Sequence, residues 1–265
     1  METVYLEIAV QAARAAGQIQ RERLWSDNSI AFKGEKNLVT DVDRLSEDLI
    51  VRQLRAACPD CDFLAEESGA LGGGSPLRWI IDPLDGTTNY AHGFPWFAVS
   101  IALEISGEIR LGVIYHPMMD ELFTGVRGHG AWLNGRKISV SRRQPLNSSL
   151  LATGFPYDRG VSNENNFENF IQFQLAARAV RRAGAAALDL AYVAAGRLDG
   201  FWECKLKPWD VAAGKLLVEE AGGTVTNHGG AHYSITDHRI LASNGYIHQE
   251  MLQILTSRAT NPPFE

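Results

Sequence analysis

Positive charge, cysteine and long apolar runs are all scarce in this 265-residue sequence, and each scarcity closes off a class of function. Lys and Arg number 25 against 31 Asp and Glu, a net charge of −6. That balance repels polyanions, so direct nucleic-acid binding through a basic surface is not expected. A small anionic substrate remains compatible, provided a cation or backbone dipoles offset the charge. No apolar run reaches the ~20 residues needed to cross a bilayer, which argues against a membrane role. Residues 1–20 carry Glu2, Glu7 and Arg14 and lack the basic start and unbroken apolar stretch of a secretory leader. Three cysteines, an odd number, do not suggest a disulfide scaffold, and a reducing cytoplasm is the expected compartment. The seven histidines show no ligand spacing, and no internal repeat or low-complexity tract is present.

What is present is enough apolar material, 45% of residues, for one large domain or two fused layers. Val4, Ile8, Ala12, Ala15, Ala16 and Ile19 recur at helical spacing and predict a helix over 3–24; Leu45, Leu49, Ile50 and Leu54 predict another over 43–57. Short strands are expected at 63–65 and 79–81, the latter stopping at Asp82. Strands at 97–104, 108–115, 121–126 and 131–133, separated by turn residues, read as an antiparallel meander. After Pro145 the pattern changes to strands at 149–152, 201–203, 224–226 and 240–242. Helices are expected there at 163–178, 185–195, 211–221 (closed by Gly222-Gly223) and 249–257. The mixture is α+β, with a soft boundary near 143–149 separating halves 1–146 and 147–265.

The segment Asp82-Pro83-Leu84-Asp85-Gly86-Thr87-Thr88-Asn89 is the most informative. Pro83 holds Asp82 extended, Gly86 permits a tight turn, and Thr87 or Thr88 can cap a short helix whose N–H groups favour an anion. Two carboxylates beside a phosphate cradle suit a hard divalent cation, since magnesium takes one or two carboxylates plus water and phosphate. A lone D-x-x-D is more often a capped turn. Two further acidic sites add weight: Glu66-Glu67-Ser68 after a strand and Trp209-Asp210 before a helix. Their ordinary alternatives are an exposed acidic loop and a simple N-cap.

Together with Asn37 to Asp43, Leu64 to Ser68, Trp79 to Asn89, Gly184 to Leu190 and Trp209 to Gly223, these residues resemble the inositol monophosphatase family, in order and over most of the chain. The resemblance implies a five-layered αβαβα sandwich of the sugar phosphatase type, a homodimer and lithium-sensitive activity. It implies two or three Mg2+ ions held by Glu66, Asp82, Asp85, Asp210 and the Leu84 carbonyl. The first half of the chain would carry most of these ligands; the second would complete the metal site and the substrate pocket. Asp43 and Thr87 would orient the attacking water, with Asp41 as the competing choice for Asp43. The Gly86 and Thr87 amides would bind phosphate. Asp85, Glu203 and the backbone of Gly184, Ala185 and Ala186 would meet substrate hydroxyls. The sequence departs from the pattern at Ala183 and Ala185, where hydroxyl residues are frequent.

The implied reaction is hydrolysis of myo-inositol 1-phosphate or a similar polyol phosphate. Fructose 1,6-bisphosphate, histidinol phosphate or a nucleotide 3′-phosphate is the alternative, and a protein-binding role in transcription is another. Other features read more plainly. Cys58-Pro59-Asp60-Cys61 is expected to be two ordinary thiols in a turn rather than a redox pair. His92 is expected to be structural, Arg181-Arg182 solvated, and Trp96 and Phe97 core. Residues 33–40, with Lys33, Gly34 and Lys36, are either a lid or a passive loop.

Overall fold

The computed structural model describes residues 2–25, 30–32 and 38–257. The lid residues Lys33, Gly34 and Lys36 lie outside the described residues. The chain opens with helix α1 (Glu2–Arg23), a two-stranded ribbon of β1 (Ile30–Phe32) and β2 (Leu38–Thr40), and helix α2 (Asp41–Ala57). Strands β3 (Asp62–Ala65), β4 (Gly69–Leu71) and β5 (Leu77–Asp85) follow, then the short helix α3 (Thr87–Ala91). The meander is β6 (Ala98–Ile105), β7 (Glu108–His116), β8 (Glu121–Val126), β9 (Gly130–Leu133) and β10 (Arg136–Ile138). These strands form one eight-stranded sheet in the order β10-β9-β8-β7-β6-β5-β3-β4, antiparallel except where β3 runs parallel to β5.

The second part contains β11 (Leu150–Thr153), α4 (Phe167–Ala176), β12 (Ala179–Arg181), α5 (Ala186–Ala194), β13 (Gly200–Cys204), α6 (Pro208–Glu220), β14 (Thr224–Asn227), β15 (Arg239–Ser243) and α7 (His248–Thr256). Its strands form a five-stranded mixed sheet in the order β12-β11-β13-β15-β14.

Side-chain alternation along the strands sorts the core into layers. Trp79 and Ile81 face α1 and α2, packing with Ala9, Ala12, Ala16, Ile50 and Leu54. Ile80, between them, faces the opposite way, into a core made with α5, α6, Phe201 and Ile240. In the smaller sheet Trp202 and Leu241 turn outward onto Phe173 of α4 and Met251 of α7. The stack is therefore α1/α2, large sheet, α5/α6, small sheet, α4/α7: the five layers expected. Two glycines let the central helices sit close. A Cβ on Gly214 of α6 would lie 2.5 Å from Leu190 Cβ of α5, and one on Gly112 of β7 would lie 3.0 Å from the Ala213 carbonyl oxygen.

Several boundaries differ from the sequence reading. The strand expected to stop at Asp82 runs to Asp85, because a bulge between Asp82 and Asp85 absorbs Pro83 without ending the pairing with β6. The helix expected from 163 begins at Phe167. Asn166 is left-handed at φ 69°, with its side chain committed to Thr153, Gly154 and Trp202. At the other end the helix stops at Ala176, two residues short of 178, and residues 179–181 form a strand that was not expected, β12. Cys58 and Cys61 are joined by a disulfide, Cα–Cα 5.4 Å, rather than standing as two thiols. The turn from the end of α2, with the Cys61 N–H on the Cys58 carbonyl at 3.2 Å, already brings them together. Phe97 is fully buried and Trp96 packs against the central core, as expected. His92 closes α3 through its backbone. Among the described residues no helix is long and apolar enough to cross a membrane.

Candidate active site

The site grows from the end of β5, where the bulge turns the chain out of the sheet. The Leu84 N–H donates to Asp82 Oδ1 at 3.0 Å, which fixes the first carboxylate against its own backbone. Behind it, the buried Gln20 of α1 donates its Nε2 to the Pro83 carbonyl at 2.7 Å. Gly86, at φ 96°, then starts α3; a Cβ there would come within 2.9 Å of the Trp96 carbonyl oxygen, so this turn requires glycine. Sequence reasoning made Thr87 or Thr88 the helix cap. Instead Gly86 occupies that position and no side chain caps the helix. The Thr87 hydroxyl is thereby released for another task. It lies 3.0 Å from Asp43 Oδ1 and 3.1 Å from the Leu84 carbonyl oxygen, both of which can accept its proton. Asp43 and Thr87 are both buried, while Asp41, the competing choice, is an exposed residue opening α2.

Glu66 follows β3, its N–H donating to the Ile81 carbonyl at 3.1 Å. The next two amides, of Glu67 and Ser68, donate to the buried Glu47 carboxylate at 2.8 Å each, so the turn presenting Glu66 is clamped from α2. Asp210 sits in the first turn of α6, after Pro208, with Oδ2 accepting the Lys207 N–H at 2.6 Å. The N-cap alternative is thus half right: Asp210 supports the helix start from inside the first turn, and its carboxyl is also hydrogen-bonded to Asp82.

Asp85 does something the sequence hides. Helix α5 has Ala185 at its N-cap and no capping side chain of its own. Asp85 supplies the missing acceptor from the other half of the chain: Oδ2 receives the Ala187 N–H at 2.8 Å, and the Ala186 N–H also donates to it. Asn89 adds a second tie, donating Nδ2 to the Trp96 carbonyl at 2.8 Å and the Ala183 carbonyl at 2.9 Å, which locks α3 against the turn at Gly184. The signal for the first tie was the absence of Ser, Thr, Asp or Asn before a clear helix.

The electrostatics are those of crowded, buried acids. Burial, then repulsion from Glu66, Asp85 and Asp210, pushes Asp82 well above the usual carboxylate range. Burial and Asp210 do the same to Asp85, against the lowering effect of the Ala187 amide. Burial raises Asp210 to about 6. Further in, Glu203 at the end of β13 and Asp189 of α5 are buried and raised by burial first, with exposed Arg182 opposing the shift in both. Gly154 lies against the Glu203 carboxylate, so a side chain there would have to displace it. Gly184, Ala185 and Ala186 line the turn between Asp85 and Asp189.

Glu66, Asp82, Asp85 and Asp210 therefore stand near enough to repel one another. Among the described residues, however, no three His, Cys, Asp or Glu side chains close around a point as tightly as an ion would draw them. The donor chemistry fits a hard cation: every polar group is an oxygen, the charge is in excess, and buried carboxylates need a counter-charge.

Acids gathered in this way beside a tight glycine turn are suited to handling a phosphoric monoester through a divalent cation. The model of the inositol monophosphatase family matches residues 1–260. An inositol-1-monophosphatase of Synechocystis sp. is 46% identical over 256 residues, 96% of this chain and 89% of the relative. A Pseudomonas aeruginosa relative called Nus factor SuhB is 48% identical over 247 residues, 90% and 91% of the two chains. The solved inositol monophosphatase from Anabaena (Nostoc) sp. superimposes with a TM-score of 0.88 at 46% identity, covering 96% of this chain and 95% of that one. The chain belongs to the inositol monophosphatase family.

Proposed function

We propose that this enzyme hydrolyses the phosphate monoester of a small polyol, myo-inositol 1-phosphate or a near analogue, with magnesium as its metal. The observation that supports the reading is the electrostatic coupling of Asp82 with Glu66, Asp85 and Asp210, beside the hydrogen-bonded Asp43–Thr87 pair. Glu66, Asp82, Asp85, Asp210 and the Leu84 carbonyl would hold two or three Mg2+ ions. Bound magnesium supplies an activated water and offsets charge on the ester oxygens. Thr87 and Asp43 would orient a water for attack: Thr87 Oγ1, with its own proton directed to Asp43 Oδ1 at 3.0 Å, would accept the water's proton as the new P–O bond forms and the ester P–O bond breaks, and the alcohol would leave with a proton taken from solvent. The Gly86 and Thr87 amides receive the phosphate at the first turn of α3. Glu203, the Asp85 carboxylate and the backbone at Gly184, Ala185 and Ala186 receive substrate hydroxyls. With no hydroxyl on Ala183 or Ala185, those bonds fall to backbone and carboxylate.

A homodimer, sensitivity to lithium and a cytoplasmic site of action belong to the same reading. Free-phosphate release from inositol 1-phosphate, fructose 1,6-bisphosphate, histidinol phosphate and a nucleotide 3′-phosphate, with magnesium titration and lithium, tests it. Preferential, magnesium-dependent turnover of the inositol ester is expected. Equal or better turnover of another ester replaces the substrate, and no turnover of any ester ends the reading.

A second reading, a protein-binding role in transcription, is favoured by one observation: a relative 48% identical is called Nus factor SuhB. Direct RNA binding is disfavoured by the net charge of −6. A pull-down probed for transcription proteins decides it, and their absence from the eluate removes this reading.

A further inference from the structure

The turn that leads into α5, residues 183–185, lies between β12 and the helix and belongs to neither sheet, and Gly184 within it takes φ 89°. Two side chains from the other half of the chain hold it. Asp85 Oδ2 accepts the Ala187 N–H at 2.8 Å. Asn89, in α3, donates Nδ2 to the Ala183 carbonyl at 2.9 Å and to the Gly184 carbonyl at 3.3 Å. One end of the turn is thus held through an amide and the other through carbonyls. The fit is close, since a Cβ on Gly184 would lie 3.3 Å from Asn89 Nδ2. Among the described residues no other side chain donates to either carbonyl. The same Nδ2 donates to the Trp96 carbonyl at 2.8 Å, so one nitrogen gathers three segments.

Asn89 stands on a platform that does not depend on these bonds. Tyr90 beside it is buried, donates its hydroxyl to the Gln20 carbonyl at 2.9 Å and meets Phe97 edge-on at 4.9 Å. The Phe94 N–H closes the end of α3 onto the Asn89 carbonyl at 2.8 Å. The Trp96 ring is held by His116 and Tyr192, with centroids 5.2 and 5.1 Å away. The backbone at Gly86 and Thr87 therefore keeps its support when the Asn89 amide is removed, whereas the carbonyls at 183 and 184 lose their tie to it.

We infer that Asn89 is a positioning residue that fixes the spacing between the phosphate turn and the backbone at 184–186, and so sets affinity for the hydroxyl-bearing alcohol of the ester without changing how the phosphate is held. This rests on the phosphatase reading above. Ala183 and Ala185 bring no side-chain hydroxyl, so the alcohol depends on where this backbone stands.

The test compares wild type and N89L, which keeps the size of asparagine and removes its donors, in saturating magnesium. The substrates are inositol 1-phosphate and 4-nitrophenyl phosphate, whose leaving group has no further hydroxyl for the backbone to meet. A backbone displaced from one hydroxyl loses about one neutral hydrogen bond, which predicts about a tenfold rise in KM for the inositol ester. Its kcat, and both constants for the nitrophenyl ester, should stay within about threefold of wild type. A general loosening of the site would lower turnover of both esters alike. An unchanged KM for the inositol ester, or an equal loss on both esters, overturns the inference and leaves the phosphatase reading standing. Where N89L does not fold, N89S, which loses the same bonds without adding bulk, is judged by the same comparison. Failure of both variants to fold makes Asn89 a structural residue and also overturns the inference. Wild-type turnover of the nitrophenyl ester alone removes inositol as the substrate and this inference with it, and inertness toward both esters removes the phosphatase reading as well.

Discussion

Replacing Asp85 with asparagine separates two duties of one carboxylate. Its Oδ2 receives the Ala187 N–H at 2.8 Å, and an amide oxygen can do the same. The new NH2 group would face the acids around Asp85 and could donate to them. Without added cation the variant should therefore be more stable than wild type, by on the order of 1–3 kcal/mol, because a buried charge repelled by its neighbours has gone. With magnesium that advantage should shrink or vanish. An ion at about 100 times its Kd stabilises the protein that binds it by roughly 2.7 kcal/mol. For a chain of this size that corresponds to a melting-temperature rise of about 5–11 °C. Wild type should show that rise between chelator and millimolar magnesium, and D85N should show almost none. Turnover of the inositol ester should fall more than about 100-fold if Asp85 holds the ion and meets the substrate as proposed. Calorimetry at several magnesium concentrations, beside phosphate release, makes the measurement. A D85N protein that melts lower than wild type in chelator, or gains as much from magnesium, refutes the account; wild-type-like turnover at saturating magnesium refutes the catalytic assignment.

Other outcomes follow from the packing and the charges. Burial lowers His248 from 6.5 to about 4, with Ser243 and Thr226 hydroxyls at 2.8 and 3.0 Å. The unfolded chain then binds a proton that the native state refuses, so stability is lost as pH falls from 6.5 toward 4. H248Q should lose about 3 kcal/mol less than wild type across that window in urea titrations, and parallel pH slopes would contradict this. G214A should cost about 1–3 kcal/mol net, since the collision with Leu190 exceeds the ~1 kcal/mol that alanine contributes over glycine in a helix. A neutral G214A would mean that α5 and α6 can move apart freely. The double variant C58S/C61S should lower stability by about 2 kcal/mol, the loop-closure value for so short a ring. Its activity, with or without reductant, should match wild type; a reductant-dependent rate in wild type that disappears in the variant would make the pair a switch.

How far the sequence could be read depended on the range of the signal. The helices α1 and α2 and the meander from β6 to β9 are legible because their apolar periods are long and face one core each. Strands β4, β10 and β12 are three residues each, too short to show a period, and they take their place by pairing with a neighbour. The acids of the site were legible by type and by their position at element ends. What they touch was not. The Asp85 bond to Ala187 spans 102 positions, and the Glu47 clamp on Glu67 and Ser68 joins a helix interior to a turn. Neither leaves a local pattern. The helix expected at 163 failed on Asn166, whose side chain is held by Thr153 and Trp202 in a left-handed turn that composition does not reveal.

The 102-position reach of Asp85 to the start of α5 also sets a timetable for biosynthesis. At about 5–20 residues per second, the ribosome delivers the Ala187 amide roughly 5–20 s after Asp85. During that interval Glu66, Asp82 and Asp85 have been made while Asp210 has not, and the nascent protein carries acids with neither their helix nor their fourth member. On the proposed ligand set, hydrolytic competence therefore waits at least until Asp210 has been made, roughly four-fifths of the way along the 265 residues.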